Sequence, residues 1–295
     1  MGQTNTYAQN RAMYGSKANQ VLPDDGENME REKTMSEWEL KKSKRKIHRP
    51  RTIVYGEPKV GKTTFGCSVP KGVLIPTEDG AAGMDIMQLP SNRVCTTWDD
   101  VLKALTTLYK EKHDREWVVI DTVNGVTDLC AQYICDRDFG GNWEATKGKD
   151  GYNAFARGDK AMAQEFKRFI NGLDMLRNEK GMGCILLAHQ GLHRSGNALG
   201  DDFLKFAADV NKHAWSLLLG WADHIGHACR DFMVHTPQGK EDSGKGIAKE
   251  RSNTRWLVFD GGPGRDAGAR AGYEMPERIE LKWAAYADSI SKHLK

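Results

Sequence analysis

The sequence predicts an α/β protein with a mostly parallel sheet flanked by helices and a more antiparallel C-terminal extension. Between Arg51 and residue 190, short apolar segments rich in β-branched residues alternate with segments of helical periodicity. Such alternation is typical of parallel strands joined by crossover helices. Beyond residue 222 the strand-like segments follow one another without long helices between the last of them, which favours antiparallel pairing.

The individual elements can be assigned in chain order. The four core strand candidates are "RTIVYG", "GVLIPT", "REWVVIDT" and "GCILLAH". The helix candidates are "GKTTFGCSV", "TTWDDVLKALTTLY", "VTDLCAQYI" and "DKAMAQEFKRFINGLDMLRNEKG". The second helix opens with a capping-box pair, Thr97 and Asp100, and Gly181 is expected to end the longest helix. The extension adds the strand candidates "HIGHACRDFMVH", "RWLVFDGG" and "ERIELKW".

The composition indicates a globular, soluble protein. Of 295 residues, 39% are hydrophobic and 28% are charged, and no apolar run approaches the roughly 20 residues that span a bilayer. The polar N-terminus has no signal-peptide core, so we expect a cytoplasmic protein with no membrane partner. The formal net charge of +3 does not by itself indicate a nucleic-acid binder. The six cysteines lack C-x-x-C spacing, which disfavours a zinc site and favours reduced thiols.

Residues 1–48 differ in composition from the rest of the chain. Acidic residues cluster between Asp24 and Glu39, and seven Lys or Arg residues follow between Lys41 and Arg51. Low hydrophobicity and segregated charge predict a disordered or loosely attached arm, which leaves residues 49–295 as the folded domain. The basic run has two interpretations, a solvated linker or an arm that contacts phosphates.

A phosphate-binding loop is predicted between the first strand and the first helix. The segment from Gly56 to Thr63 matches G-x-x-x-x-G-K-S/T in full. Its glycines let successive backbone N–H groups point inward to form an anion-binding nest, and the start of the helix adds positive potential. We expect ATP and Mg²⁺ as cofactors, with Lys62 on the β- and γ-phosphates and the Thr63 hydroxyl on the metal. The predicted nucleotide-contacting residues of the loop are Gly56, Glu57, Pro58, Lys59, Val60, Gly61, Lys62, Thr63 and Thr64.

Two acidic residues end other strand candidates. Asp121 follows the apolar run Trp117–Ile120, and the carboxyl ends of strands carry the ligands in an open parallel sheet. We therefore predict that Asp121 holds Mg²⁺; the alternative is a helix-capping aspartate. Glu78 ends the neighbouring strand candidate and is predicted to polarise the attacking water during hydrolysis. A turn-forming role, or catalysis by Asp79 instead, stays open.

The strand candidate "ILLAHQG" ends in His189 and Gln190. At the same edge of the sheet, a polar side chain can sense the γ-phosphate and pass that state to the loop that follows. We predict His189 as a catalytic residue and Gln190 as a nucleotide contact. The alternative is a histidine whose hydrogen bonds are purely structural.

Several motifs together resemble the RecA-like phage ATPases related to recombinase paralogues, the Sak-type single-strand annealing group. The matching pieces are "YGEPKVGKTTF", "PTEDG", "WVVIDTVNGV", "GKDGYNAFARGDK", "KGMGCILLAHQ" and "GARAGYEMPERIEL". The first two fit many phosphate-loop families, whereas "AHQ" combined with the Arg-x-Gly-Tyr-x-x-Pro element is more specific. The resemblance covers residues 51–285 and leaves the N-terminal arm outside it.

This resemblance implies a RecA-type core that couples ATP hydrolysis to single-stranded DNA in recombination or annealing. It also implies a homo-oligomer, either a ring or a filament, with a single-strand-binding protein as a further partner. In such assemblies ATP lies between subunits and an arginine of the neighbour completes the site. Arg270 is the preferred candidate for this arginine finger, and Arg265 is the alternative.

DNA contacts are predicted in two glycine-containing segments that mix basic and aromatic residues, as single-strand binders do. The first, "GKDGYNAFARGDK", supplies Lys149 and Arg157. The second, "GLHRSGNALGDDFLKFAADVNK", supplies His193, Arg194 and Lys205. The second segment also holds three aspartates, whose charge opposes contact with phosphates, and the first could simply be a helix entry.

Other functions of a phosphate-loop protein stay open at this stage. A ring helicase or replication-type ATPase uses the same core, but no additional helicase domain is recognisable. A nucleotide-switched assembly protein would not bind DNA directly. A small-molecule kinase is disfavoured because no lid or acceptor-binding signature is evident.

Overall fold

The computed structural model describes residues 47–144, 150–197, 200–235 and 247–294. The described residues all belong to one compact unit. Of the predicted arm, residues 1–48, only Ile47 and His48 are among them, and the predicted DNA contact Lys149 lies outside them.

The described residues form ten strands and six α-helices. The strands are β1 (Arg51–Gly56), β2 (Gly72–Pro76), β3 (Met87–Gln88), β4 (Trp117–Asp121), β5 (Gly183–Ser195), β6 (Phe203–Ala208), β7 (His224–His235), β8 (Ile247–Val258), β9 (Gly268–Ala269) and β10 (Arg278–Glu280). The helices are α1 (Lys62–Cys67), α2 (Trp98–Lys110), α3 (Val123–Phe139), α4 (Arg157–Lys180), α5 (Lys212–Trp221) and α6 (Trp283–Ser291). A 3₁₀ turn spans Ala154–Ala156.

The strands lie in the order β10-β8-β7-β1-β5-β4-β2-β3, with β6 paired to β5 and β9 paired to β7. Every pair from β7 to β3 in this order is parallel. The pairs that involve β6, β8, β9 and β10 are antiparallel. The predicted fold class, a mostly parallel sheet with antiparallel C-terminal strands, is therefore confirmed.

Helices cover both faces of the parallel strands, so these strands are apolar on both faces. Strands β2 and β4 are buried along their whole length. One face packs on α2, α3 and α4 through side chains such as Trp98, Phe166 and Leu173. The other face packs on α1 and α6 through side chains such as Phe65 and Tyr286.

The local sequence signals fix several helix ends. Thr97 Oγ1 accepts a hydrogen bond from the Asp100 amide, and the Asp100 carboxylate accepts one from the Thr97 amide, so the predicted capping box is present. Gly181 follows α4 in the left-handed conformation, with φ 69°, which glycine adopts without a Cβ penalty. Both signals depend only on neighbours in sequence, and both predictions are confirmed.

The region after residue 190 is more regular than predicted. Strand β5 continues past Gln190 to Ser195 and turns back as β6, so much of the second predicted DNA segment is a hairpin. Helices α5 and α6, and the short strands β3 and β9, were not predicted either. Their partners are distant in sequence; for example, β9 pairs with the start of β7.

A buried charge cluster ties the amino ends of β1 and β7 together. The Asp223 side chain is 1% exposed and lies 2.9 Å from Arg51 Nη2 and 3.3 Å from Arg177 Nη2. Burial alone would raise the pKa of Asp223, but the hydrogen bonds and charge of Arg51, with the charge of Arg177, hold this pKa below its usual value. The cluster therefore stabilises the fold above the unfolded pKa of about 3.9, and this contribution is lost as the pH falls through the lower folded value.

Asp223→Ala is expected to lower the free energy of unfolding by about 3–5 kcal/mol, because it leaves buried guanidinium groups without their carboxylate. Urea denaturation followed by circular dichroism measures the loss. The matched control is Asp202→Ala, whose partner Arg194 is 76% exposed, and here we expect a change within about 1 kcal/mol. Equal losses in the two variants would contradict the structural role of the cluster.

Candidate functional site

The carboxyl ends of β1, β2, β4 and β5 lie at the same edge of the sheet, because these strands are parallel. The register places Gly56 opposite His189 and Pro76 opposite Asp121. The residues that follow these strands enclose a cavity of about 340 Å³. Its lining residues are Pro58, Lys59, Gly61, Lys62, Thr63, Thr64, Glu78, Gly80, Met84, Asp121, Thr122, His189 and Arg255.

The predicted phosphate loop curls at the mouth of this cavity. Lys59 and Gly61 both have left-handed backbone conformations, with φ values of 63° and 107°. Lys62 is 6% exposed, and its Nζ donates hydrogen bonds of 2.8 Å to the carbonyl oxygens of Gly56 and Glu57. The loop thus folds around its own lysine. A phosphate bound in the loop would compete with these two carbonyl oxygens for the ammonium group.

Burial and nearby negative charges act in opposite directions on the ammonium group of Lys62. Burial lowers its pKa, and the negative charges of Asp121, Glu78 and Glu57 offset part of that shift. Two neutral carbonyl oxygens neutralise less of the charge than phosphate oxygens do, because hydrogen bonds between ions are stronger than those to neutral acceptors. The site is therefore suited to a polyanion.

Thr63 and Asp121 form the pair predicted to hold the metal. Thr63 Oγ1 donates a hydrogen bond of 2.7 Å to Asp121 Oδ2. Burial, with a smaller contribution from the charge of Glu78, raises the pKa of Asp121. A cation beside it would favour the ionised form, and a hydroxyl with a carboxylate is a donor set that Mg²⁺ accepts.

Gly80 lies against this pair. A Cβ atom on Gly80 would lie 3.7 Å from Thr63 Oγ1 and 3.9 Å from Asp121 Oδ2. Glycine at this position keeps the space beside the two oxygens open. The residues present therefore fit a magnesium ion held by Thr63 and Asp121, with Gly80 leaving room for its water ligands.

Glu78 lies in the cavity with both carboxylate oxygens engaged. Thr122 Oγ1 donates a hydrogen bond of 2.6 Å to Glu78 Oε1, and His189 Nε2 lies 3.1 Å from Oε2. Asp79, the alternative catalytic acid, does not line this cavity; it lines a neighbouring cavity, which Glu78 also borders. The geometry thus places Glu78, rather than Asp79, beside the phosphate loop.

Gln190 does not line the cavity, although the preceding residue, His189, does. Its Oε1 accepts a hydrogen bond of 2.8 Å from His227 Nε2. The His227 ring is stacked between Tyr55, at 4.9 Å, and Phe206, at 5.4 Å. Burial lowers the pKa of His227 to about 4, so the ring is neutral near pH 7. Gln190 therefore connects the edge of the cavity with β6.

Three of the predicted loop residues do not line the cavity. Gly56 and Glu57 contribute carbonyl oxygens to Lys62, as described above. Val60 is 1% exposed and belongs to the apolar cluster around Phe65 and Leu257. Their contact with a nucleotide stays a prediction.

The predicted arginine finger lies elsewhere. Arg270 donates to the carbonyl oxygens of Gly220, at 2.6 Å, and Ala222, at 3.1 Å, and pairs with Asp223 at the amino edge of the sheet. This is the edge opposite the phosphate loop of its own chain. The alternative, Arg265, lines a separate cavity with Trp256. A role for either residue across a subunit boundary stays a prediction.

The predicted DNA-contacting cations have acidic partners. Arg194 pairs with Asp202 at 2.8 Å and Lys205 pairs with Asp266 at 2.7 Å. Arg157 lies 3.9 Å from Asp150 and also faces the ring of Phe139. His193 Nε2 is buried and has no hydrogen-bond partner among the described residues. Contacts of these residues with DNA stay predictions.

Sequence reasoning missed four residues of the cavity: Gly80, Met84, Thr122 and Arg255. The segments "TEDG" and "IDT" contain Gly80 and Thr122 and could have indicated them, whereas Met84 lies four residues beyond the first segment. Arg255 comes from β8, almost 200 residues beyond the loop, and no local pattern connects it with the nucleotide motifs.

Other features bear on the remaining predictions. All six cysteines are free, and four of them are buried. Among the described residues there is no group of three or more His, Cys, Asp or Glu residues that could hold a metal ion. None of the helices in the described part of the chain combines the length and apolar character needed to cross a membrane.

The part of the chain that contains the cavity matches a known family model. The crystal structure of the RadB recombinase is similar, with a TM-score of 0.38 and 11% sequence identity over 72% of this chain and 81% of that chain. No curated protein matches the sequence. A family model described as an AAA domain matches residues 48–271, which contain every residue lining the cavity. That match spans more than half of the protein, and the chain therefore belongs to the AAA domain family.

Proposed function

We propose that this protein is a RecA-like, Mg²⁺-dependent ATPase that acts on single-stranded DNA in recombination or annealing, as a ring or filament. The observation that carries the hydrolytic part is the position of Glu78. Its carboxylate lies in the same cavity as Lys62, Thr63 and Asp121 and is fixed by Thr122 and His189. Nucleotide binding alone does not need such a carboxylate, whereas activation of water does.

Each residue of the cavity has a distinct role in the proposed hydrolysis. Magnesium, when bound, supplies positive charge to the phosphate oxygens. Thr63 and Asp121 would hold the metal, and Lys62 would exchange its two carbonyl acceptors for phosphate oxygens. Glu78 would orient the attacking water and accept its proton, and His189 would keep the carboxylate in position.

The DNA part of the proposal rests on two exposed surfaces. One face of the β5–β6 hairpin presents Leu192 and Leu204, each 58% exposed, beside Arg194. At the start of α4, the Phe155 side chain is 79% exposed, and Arg157 follows it. An exposed ring near a cation is suited to the stacking of unpaired bases, and the exposed leucines give the hairpin an apolar surface beside a cation.

A direct structural connection joins the cavity to the hairpin. His189 contacts Glu78, and the next residue, Gln190, holds His227, which stacks on Phe206 of β6. A change at the nucleotide would displace His189 and Gln190 together, because they are adjacent on one strand. We propose that this connection carries the nucleotide state to the hairpin.

A nucleotide-switched assembly protein without direct DNA binding is the second candidate. The pairing of Arg194 with Asp202 and of Lys205 with Asp266 favours it, because these acids neutralise the cations meant for phosphates. On this alternative the exposed leucines of the hairpin would pack against protein instead of bases.

Hydrolysis assays with and without single-stranded DNA separate the two candidates. The DNA-acting ATPase is expected to hydrolyse ATP faster when DNA is present and to shift DNA in a gel at low salt. Phe155→Ala should reduce the stimulation and leave basal hydrolysis unchanged, because the side chain is exposed and does not line the cavity. Equal rates with and without DNA and no gel shift would exclude the DNA function and leave the assembly switch.

A further inference from the structure

The Arg255 side chain lies beside the phosphate loop. A Cβ atom on Gly61 would lie 2.8 Å from Arg255 Nη1, so the guanidinium group lies directly against the backbone of the loop. Arg255 also lines the cavity that contains Lys62, Thr63 and Asp121. The C-terminal extension thus brings a second cation to the loop, from the opposite half of the sequence.

The alternation of β8 explains why Arg255 faces the loop. Side chains two residues apart point to the same face of a strand, and Leu257 is fully buried in the apolar cluster that contains Val60 and Phe65. Trp256 faces the other side, where Arg278 stacks over its ring at 4.4 Å. The Leu281 amide donates a hydrogen bond of 2.8 Å to the Arg255 carbonyl and fixes the backbone at this point.

Within the part of the chain that the structure describes, the guanidinium group of Arg255 makes no hydrogen bond and no ion pair. The two carboxylates of the same cavity are already engaged, Asp121 by Thr63 and Glu78 by Thr122 and His189. An unpaired cation held against an anion-binding loop is suited to an additional anion rather than to a structural role.

We propose that Arg255 contacts the phosphate groups of the nucleotide from within the same chain. This inference rests on the proposed nucleotide site and adds to it a ligand from the C-terminal extension. A guanidinium group can donate two parallel hydrogen bonds to phosphate oxygens, which a lysine cannot do. Nucleotide binding would therefore tie β8 to the phosphate loop without help from a neighbouring subunit.

The test measures binding by titration calorimetry with the full-length protein and two probes, Mg-ATP and magnesium tripolyphosphate. Arg255→Ala is expected to weaken both probes by about 10-fold to 100-fold, the scale of one charge-assisted hydrogen-bonding group. Arg255→Lys should recover part of the loss because it keeps the charge. The matched control is Arg278→Ala, which removes an arginine from the other side of the same sheet region and should leave binding unchanged.

The possible outcomes separate this inference from the proposed function. No binding of either probe by the unaltered protein would refute the nucleotide site itself. Normal binding by the unaltered protein and by Arg255→Ala would overturn only the role of Arg255. A loss for Mg-ATP without a loss for tripolyphosphate would also overturn it, because the contact would then be with the base or the ribose.

Discussion

Lys62→Ala is expected to abolish ATP binding at ordinary assay concentrations. Lys62 Nζ is the buried cation of the cavity and already makes two hydrogen bonds in the free protein. With a nucleotide, the neutral carbonyl acceptors would be replaced by charged phosphate oxygens, and hydrogen bonds to charged groups are worth about 1.5–3 kcal/mol each. Losing both should weaken binding by roughly 100-fold or more. Calorimetric titration with Mg-ATP measures the change.

The control for this experiment is a lysine outside the cavity. Lys103→Ala removes an exposed lysine of α2 that does not line the cavity, and we expect it to keep the full affinity. Thermal melting of each free variant shows whether the loop still folds without the ammonium group. ATP binding by folded Lys62→Ala at the level of the unaltered protein would refute the phosphate-loop assignment.

The parts of the site that sequence predicts are those fixed by local rules. The loop Gly56–Thr63 carries its own spacing, and a parallel sheet brings the carboxyl ends of its strands to one edge. For that reason Glu78, Asp121 and His189, which each end an apolar segment, lie in one cavity with Lys62. Strand topology, rather than any motif, makes them neighbours.

The parts that sequence did not predict depend on contacts between distant segments. Arg255 reaches the loop only because β8 pairs beside β7, which pairs beside β1. Likewise, a basic residue in a sequence does not reveal its acidic partner. Lys205 is predicted from its charge and Arg270 from the family resemblance of its motif. Each is paired with an aspartate from another part of the fold, Lys205 with Asp266 and Arg270 with Asp223.

Glu78→Gln is expected to bind ATP normally and to hydrolyse it on the order of 100-fold more slowly or worse, the scale of losing a general base. The substitution keeps the size of the side chain and an oxygen that can accept the hydrogen bond from Thr122. It removes the basic oxygen that would take the proton from water. Single-turnover measurement of phosphate release separates this chemical defect from slow product dissociation.

Asp79→Asn is the matched control, because Asp79 is the next residue but lines the neighbouring cavity. It should retain most of the hydrolysis rate, because only Glu78 of the two adjacent acids lines the cavity of the phosphate loop. Full turnover by Glu78→Gln combined with a defect in Asp79→Asn would transfer the role of general base to Asp79. Full turnover in both variants would mean that the water is activated without either carboxylate, and the hydrolytic interpretation of Glu78 would be wrong.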